Sequence, residues 1–335
     1  MAAVCLFGVL DRAECEPAER FSASPLSAYV ALFDTLLGQH YAEAESLCAV
    51  LAEDWPGHPA VEYAWASVIY AQLCDYEDTT GTGELERRVE RCLELCGAWE
   101  RRAPDSSAAE REFLTGSAYS VSGLTRHRQG KTVEGVVRLM TSRRHFDHAI
   151  KLDTGFYDAY VGRGAYRYAA ASNLGFLRWL PGVPSKRAGW NDLVTGMQRS
   201  AFSRFPAMSA MVWLALDEKN WATADSMVRA GLARFPESRT FLMPKLALEK
   251  RTEQWDAARG TATILLNSYR QLENQNGYEV IGLYRSLMEC SDMLGDSTAA
   301  RSYAELGLAV PTTPYARERR TATLQVLSDR LERRQ

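Results

Sequence analysis

A short phrase returns along this chain: a helix break, an aromatic residue, then alanine three positions later. It reads GQHYAEA at Gly38–Ala44, EKNWATA at Glu218–Ala224 and EQWDAA at Glu253–Ala258, and a fourth copy, GDSTAA at Gly295–Ala300, keeps the break and the alanine. Aligning Ala44, Ala224, Ala258 and Ala300 brings other positions into register. Pro56 and Pro236 stand twelve residues beyond their alanines, Pro311 stands eleven beyond its own, and Trp221 and Trp255 are 34 residues apart. A period in this range means stacked supersecondary units, none of which buries its apolar face alone. The pattern constrains the architecture, but it does not name a partner, because the surfaces of such arrays are tuned case by case.

An array grows by adding neighbours, so 335 residues need not mean two domains. Apolar residues make up 46 % and charged residues 24 %, as in ordinary folded chains. β-Branched residues are scattered and no run alternates strictly, so the expectation is all-α. The net charge of −3 conceals an asymmetry: residues 1–112 hold 21 acidic side chains against 8 arginines, net −13, leaving +10 for the remainder. The basic half is densest at Arg126–Lys151, with seven Lys/Arg against Glu134 and Asp147. That stretch reads either as a solvated helix face or as a surface that steers an acidic partner.

The seven cysteines have no zinc-type spacing; Cys92 and Cys96, at i and i+4, read as small core residues. His145 and His148 beside Asp147 lack further ligands nearby in sequence, so no metal and no cofactor are expected. The apolar stretch Ala2–Leu10 resembles part of an export signal, but no Lys or Arg precedes it, and it is too short to span a bilayer. It reads either as the remnant of such a signal or as an arm on the first repeat. An exported location is the expectation over a cytoplasmic one.

The chain divides into a leader at 1–24 and one solenoid domain at 25–335. Helix pairs are predicted at about 25–37 with 41–54, 59–77 with 84–102, and 107–128 with 131–151, the last two separated by Gly130 as a stop. A fourth pair begins near Phe156. Further pairs fall at about 206–217 with 220–234, 238–252 with 254–273, and 277–294 with 296–309. A final arginine-rich helix, about 314–333, supplies the polar outer face that ends an array. Its lack of interleaved aromatics and a chain pI near 6.0 argue against nucleic acid.

These residues resemble the tetratricopeptide-repeat family, whose unit is a helix–turn–helix of 34 residues with small residues at helix crossings and a terminal proline. Ala44, Ala224, Ala258 and Ala300 match the small position, and Pro56 and Pro236 the proline. The resemblance implies a right-handed superhelical solenoid of about seven such units with a C-terminal capping helix. Residues 146–190, FDHAIKLDTGFYDAYVGRGAYRYAAASNLGFLRWLPGVPSKRAGW, further resemble a bacterial subfamily distantly similar to eukaryotic proteins of this family at outer mitochondrial membranes and in inclusion clearance. Arg163 and Arg167 stand where similar sequences favour uncharged residues. The family has no catalytic site, and the resemblance implies a protein-interaction scaffold.

In that register the inward positions of the first helices include Trp213, Lys250, Arg251, Arg285, Glu289 and Asp292, and anchoring the fourth unit on Gly164 adds Asp158 and Tyr168. A groove with Trp, Tyr and Arg suits an extended peptide; the alternative is that Trp213 plugs the interior and the charges are merely solvated. The first helices lack the Lys-x-x-x-Asn arrangement with which relatives hold a terminal carboxylate. Phe176, Leu177, Trp179 and Leu180 form an apolar loop within 173–184, which either folds back over the array or docks to a partner or membrane interface. No nucleophile, phosphate-loop or dinucleotide motif is present, so the chain reads as a non-enzymatic scaffold for a protein or peptide, with a peripheral membrane protein as the rival reading and no small-molecule substrate.

Overall fold

The computed structural model describes residues 21–103, 107–173, 185–272 and 276–332. Among these residues the regular structure is helical throughout, and it follows the expected pairing. The hairpins are α1 Tyr29–Leu37 with α2 Tyr41–Asp54, α3 Pro59–Asp75 with α4 Thr82–Arg102, and α5 Ala108–Arg128 with α6 Thr132–Leu152. They continue as α7 Tyr157–Asn173 with α8 Lys186–Arg199, and α9 Arg204–Asp217 with α10 Trp221–Arg234. Two more follow, α11 Arg239–Arg251 with α12 Trp255–Arg270, and α13 Tyr278–Met293 with α14 Ser297–Leu308. The expected last helix is two, α15 Pro314–Arg319 and α16 Thr321–Glu332, because Arg320 leaves helical geometry. Its guanidinium lies 3.7 Å from the centre of the Tyr278 ring and donates to the Tyr278 carbonyl at 2.8 Å.

The turns inside the hairpins explain the recurring phrase. Gln39, Gly130, Lys219, Glu253 and Gly295 all have positive φ, between 57° and 80°. Each donates its N–H three residues back, and the next residue donates five back: His40 to Thr35, Lys131 to Arg126, Asn220 to Ala215, Gln254 to Glu249 and Asp296 to Ser291. This double bond pattern caps the open carbonyls at the end of the first helix. Five residues beyond each left-handed residue stands the small one that lets the second helix approach its partner. In the third hairpin that residue is Gly135, where a Cβ would come within 2.8 Å of the Gly123 carbonyl. The third hairpin therefore obeys the same rule with glycine in place of alanine.

The chain forms two compact units, Met1–Ala71 with Gly81–Met211, and Gln72–Thr80 with Val212–Gln335. The first is centred on an aromatic cluster. Phe21 and Phe113 both meet Phe156, with centroids 5.3 and 5.1 Å apart, and Tyr29 and Phe113 both meet Phe202, at 5.4 and 5.7 Å. Glycines bring its helices together: a Cβ on Gly162 would lie 2.2 Å from the Phe146 ring, and one on Gly189 would lie 2.5 Å from the Tyr168 amide nitrogen. Arg163 and Arg167 share the Asp192 carboxylate at 2.7–2.9 Å, which gives them a partner between α7 and α8. Cys92 and Cys96 are buried, as expected of core residues.

In the second unit Ala224, Ala258 and Ala300 are fully buried. Gly231 lets the Phe241 ring close onto α10, where a Cβ would meet it at 2.4 Å. Leu327 of α16 is fully buried against Ile281, Ala300 and Ala304, so the terminal helix covers the apolar end as expected. The segment 72–80 adds contacts that a plain nearest-neighbour array lacks. Arg239 donates to Asp75 at 2.9 Å and to Ser268 at 2.8 Å, the Tyr269 hydroxyl donates to Asp75 at 3.1 Å, and Asn276 donates to the Glu77 carbonyl at 2.9 Å. No helix among the described residues is long and apolar enough to cross a membrane.

Candidate functional site

The end of α9, from Val212 on, and the helices α11 and α13 carry a row of charged and apolar side chains in the second unit. Trp213 of α9 is 41 % exposed, so it does not plug the interior. One turn on, on the same face of the helix, Asp217 faces Arg251 of α11 at 3.8 Å, too far for a direct hydrogen bond. The Arg251 side chain is 42 % exposed. Lys250 beside it reaches α13, where it donates to Glu289 at 2.6 Å. Arg285 donates to the other oxygen of the same carboxylate, also at 2.6 Å. Burial pushes the Glu289 carboxyl up, but hydrogen bonds and charge from Lys250 and Arg285 outweigh it and hold the group below the usual carboxylate range. Glu289 is therefore held as an anion between two cations.

The row continues with Asp292, which takes a bidentate pair of bonds from Arg330 of α16 at 2.8 and 2.9 Å. Met293, one turn beyond Glu289, is 59 % exposed. Most of the charges are thus committed to joining consecutive hairpins. What remains open is Trp213 at one end, Met293 at the other and the loosely held Arg251 between them.

The structure brings Trp213, Lys250, Arg251, Arg285 and Glu289 onto helices of one unit and places Asp158 and Tyr168 elsewhere. Asp158, on α7, is buried, and its carboxylate accepts the backbone N–H groups of Ala201, Phe202 and Ser203 at 3.1, 3.2 and 2.9 Å. It orders the approach to α9 from inside the first unit; burial raises its pKa while those bonds pull it back. Tyr168 is also buried, with the Lys186 ammonium 5.5 Å from its ring centre. Neither is presented to a ligand in this arrangement. Phe176, Leu177, Trp179 and Leu180 lie outside the described residues. His145 and His148 both turn to Glu112, at 2.7 and 3.4 Å. Among the described residues no group of three His, Cys, Asp or Glu side chains is arranged to hold a metal.

Sequence reasoning did not foresee Asp217 or Met293. Met293 stands four residues past Glu289, a spacing that carries the signal, but a lone methionine near a helix end reads equally as core. Arg330 stood out only as a member of a basic helix.

No family model matches the chain, and no curated protein matches it in sequence. Solved structures do. The crystal structure of the APC/C hetero-tetramer Cut9-Hcn1 superimposes with a TM-score of 0.55 at 12 % identity, covering 95 % of this chain. The chain spans 56 % of the length of that neighbour. A tetratricopeptide repeat protein from Parabacteroides merdae gives 0.43 at 15 % identity over 81 % of this chain and 98 % of its own. Yeast Tom70 gives 0.32 at 9 % identity over 93 % of this chain and 90 % of its own. Helical hairpins with shared capping turns and small crossing residues define an α-solenoid. The fold is that of the tetratricopeptide-repeat proteins.

Proposed function

We propose that the chain is a non-enzymatic scaffold that holds a protein or peptide partner on the first-helix row of its second unit, through Trp213, Arg251 and Met293. The observation that carries this reading is the exposure of Trp213. A tryptophan left in solvent near the end of a first helix, with an arginine held only by a 3.8 Å ion pair to Asp217, combines two of the side chains that contribute most to protein interfaces. Lys250, Arg285 and Glu289 serve this surface by fixing one hairpin to the next, so a partner meets a rigid row and loses little to ordering it. The neighbour Cut9-Hcn1 is an assembly of protein chains, which supports a scaffold without identifying a partner here.

The test is affinity capture with the purified full chain, quantified by mass spectrometry. Trp213→Ala, with or without Arg251→Glu, is expected to remove a reproducible partner. Trp55→Ala, a control at another exposed tryptophan in the first unit, is expected to retain it. A partner kept by Trp213→Ala and Arg251→Glu together would exclude this row.

A further inference from the structure

The N-terminal half of α6 carries apolar residues on a side that faces water. Val133, Val136, Val137 and Met140 are 79, 47, 57 and 43 % exposed. They fall at i, i+3, i+4 and i+7, the spacing of a single helix face. The opposite side of the same turns is already used, with Gly135 and Leu139 closed against Gly123 of α5. Farther along, Phe146 fits against Gly116 of α5 and Gly162 of α7. The exposed stripe is therefore surplus to what holds the hairpin together. Isolated exposed apolar side chains need no explanation, whereas a contiguous stripe marks an interaction surface.

The unpaired charges of this helix and its N-cap are of one sign, and Arg144 stands one turn beyond Met140. Glu134 is neutralised by Arg126 at 2.6 Å. Lys131, Arg138 and Arg144 have no carboxylate partner among the described residues, and Arg138 only lies over the Tyr119 ring, 5.8 Å from its centre.

We propose that this stripe docks an amphipathic helix of a protein partner whose apolar seam is flanked by acidic side chains. The seam spacing is the one by which one helix accepts another, with short β-branched residues leaving holes for the partner's larger knobs. The unpaired bases select the sign of the flanks. A second copy laying its own α6 on the first would bring these bases against each other. A membrane is a poor match, because the stripe is only about 10 Å long and lacks the Trp, Phe or Leu that enter the headgroup boundary. The surface is distinct from the row that carries Trp213 and does not depend on it.

The test uses two fluorescent synthetic helices of about 20 residues with the same leucine seam, one flanked by glutamates and one by lysines, titrated with the full chain and read by anisotropy. The glutamate-flanked helix is expected to bind at least about tenfold more tightly than the other. Val136→Ser with Val137→Ser, or Arg144→Glu alone, is expected to lower that affinity by about tenfold. Trp213→Ala is expected to leave it unchanged, which separates this proposal from the preceding one. Equal binding of the two helices, or no loss in either variant, would overturn it. So would phosphatidylserine vesicles, or a self-associated dimer seen by sedimentation, responding to the valine substitutions in place of the acidic helix.

Discussion

The two compact units are built from the same hairpin but held together by different means. The first brings helices together on glycine, at Gly116, Gly135, Gly162 and Gly189, and fills its centre with aromatic rings in tilted and edge-on contact. The second closes its turns on alanine, at Ala224, Ala258 and Ala300, and clamps α11 to α13 through Lys250 and Glu289. It also draws in the distant segment 72–80. Alanine crossings tolerate a helix spacing that is merely close. At Gly135 and Gly189 the glycine crossings put backbone against backbone and leave no room for adjustment. The second unit should therefore be vulnerable at its charged links, and the first at its crossings.

The largest expected effect tests the segment 72–80. The Asp75 and Arg239 side chains are nearly buried, and removing one partner strands the other charge away from water. Arg239→Ala is expected to cost about 3–5 kcal/mol in urea denaturation, with hydrogen exchange accelerating in 72–80. Asp75→Leu combined with Arg239→Met is expected to recover most of the loss, since the cost lies in the stranded charge. A loss under about 1 kcal/mol for Arg239→Ala would show that the remaining contacts, from Asn276 and Tyr269, suffice.

The next effect breaks the first unit at a crossing. Gly189→Ala places a methyl group 2.5 Å from the Tyr168 amide and 2.9 Å from the Gly164 carbonyl, both backbone atoms that cannot swing aside. A loss of about 1–3 kcal/mol is expected. The paired control is Gly260→Ala in α12 of the second unit, where nothing lies within 4 Å. There the same substitution is expected to gain about 0.5–1 kcal/mol by favouring the helix. Denaturation midpoints that moved in the same direction for the two variants would erase the proposed difference between the units.

Acid sharpens the comparison through a charged group of the first unit. Burial pushes the Glu112 carboxyl up, but the hydrogen bond and charge of His145, with those of His148, hold it below the usual carboxylate range. A carboxylate with a depressed folded pKa contributes stability that is complete above its unfolded value. That contribution is lost as pH falls through the folded one. Glu112→Gln is expected to cost about 1–2 kcal/mol at neutral pH and almost nothing in strong acid. Stability curves against pH for the two proteins should converge at the acid end. Parallel curves would mean that Glu112 is held by packing and not by its charge.

The second unit was the more legible in sequence because its small residues are alanines, which align on sight. Gly135 and Gly189 each stand four residues past the N-cap of their helix, as the alanines do, but are hidden among the other glycines of the chain, and the long helices of the second and third hairpins disrupt the spacing. Chemistry was less legible than fold. Asp158 has the composition of a groove residue, and only the three backbone N–H groups converging on it reveal a buried cap. Lys250, Arg285 and Glu289 were visible as charges, Arg285 and Glu289 at i and i+4 on one helix, but the pairing of Lys250 with Glu289 needed the distance between α11 and α13. Arg163 and Arg167 were misfits until Asp192 supplied their partner.

The smallest expected effect concerns the turns that both units share. Gln39, Lys219 and Glu253 hold left-handed backbone without being glycine, a conformation that crowds Cβ against the carbonyl. Lys219→Gly in the second unit is expected to gain about 0.5–1 kcal/mol, the relief of that crowding less the added freedom of the unfolded chain. Gln39→Gly in the first unit should gain less, because the Gln39 amide donates to the Leu37 carbonyl at 2.8 Å and would be lost with the side chain. Thermal melts of the two variants should rank in that order. Equal gains would mean that the side-chain bond at Gln39 adds nothing to its turn, and that backbone geometry alone sets the stability of every hairpin end.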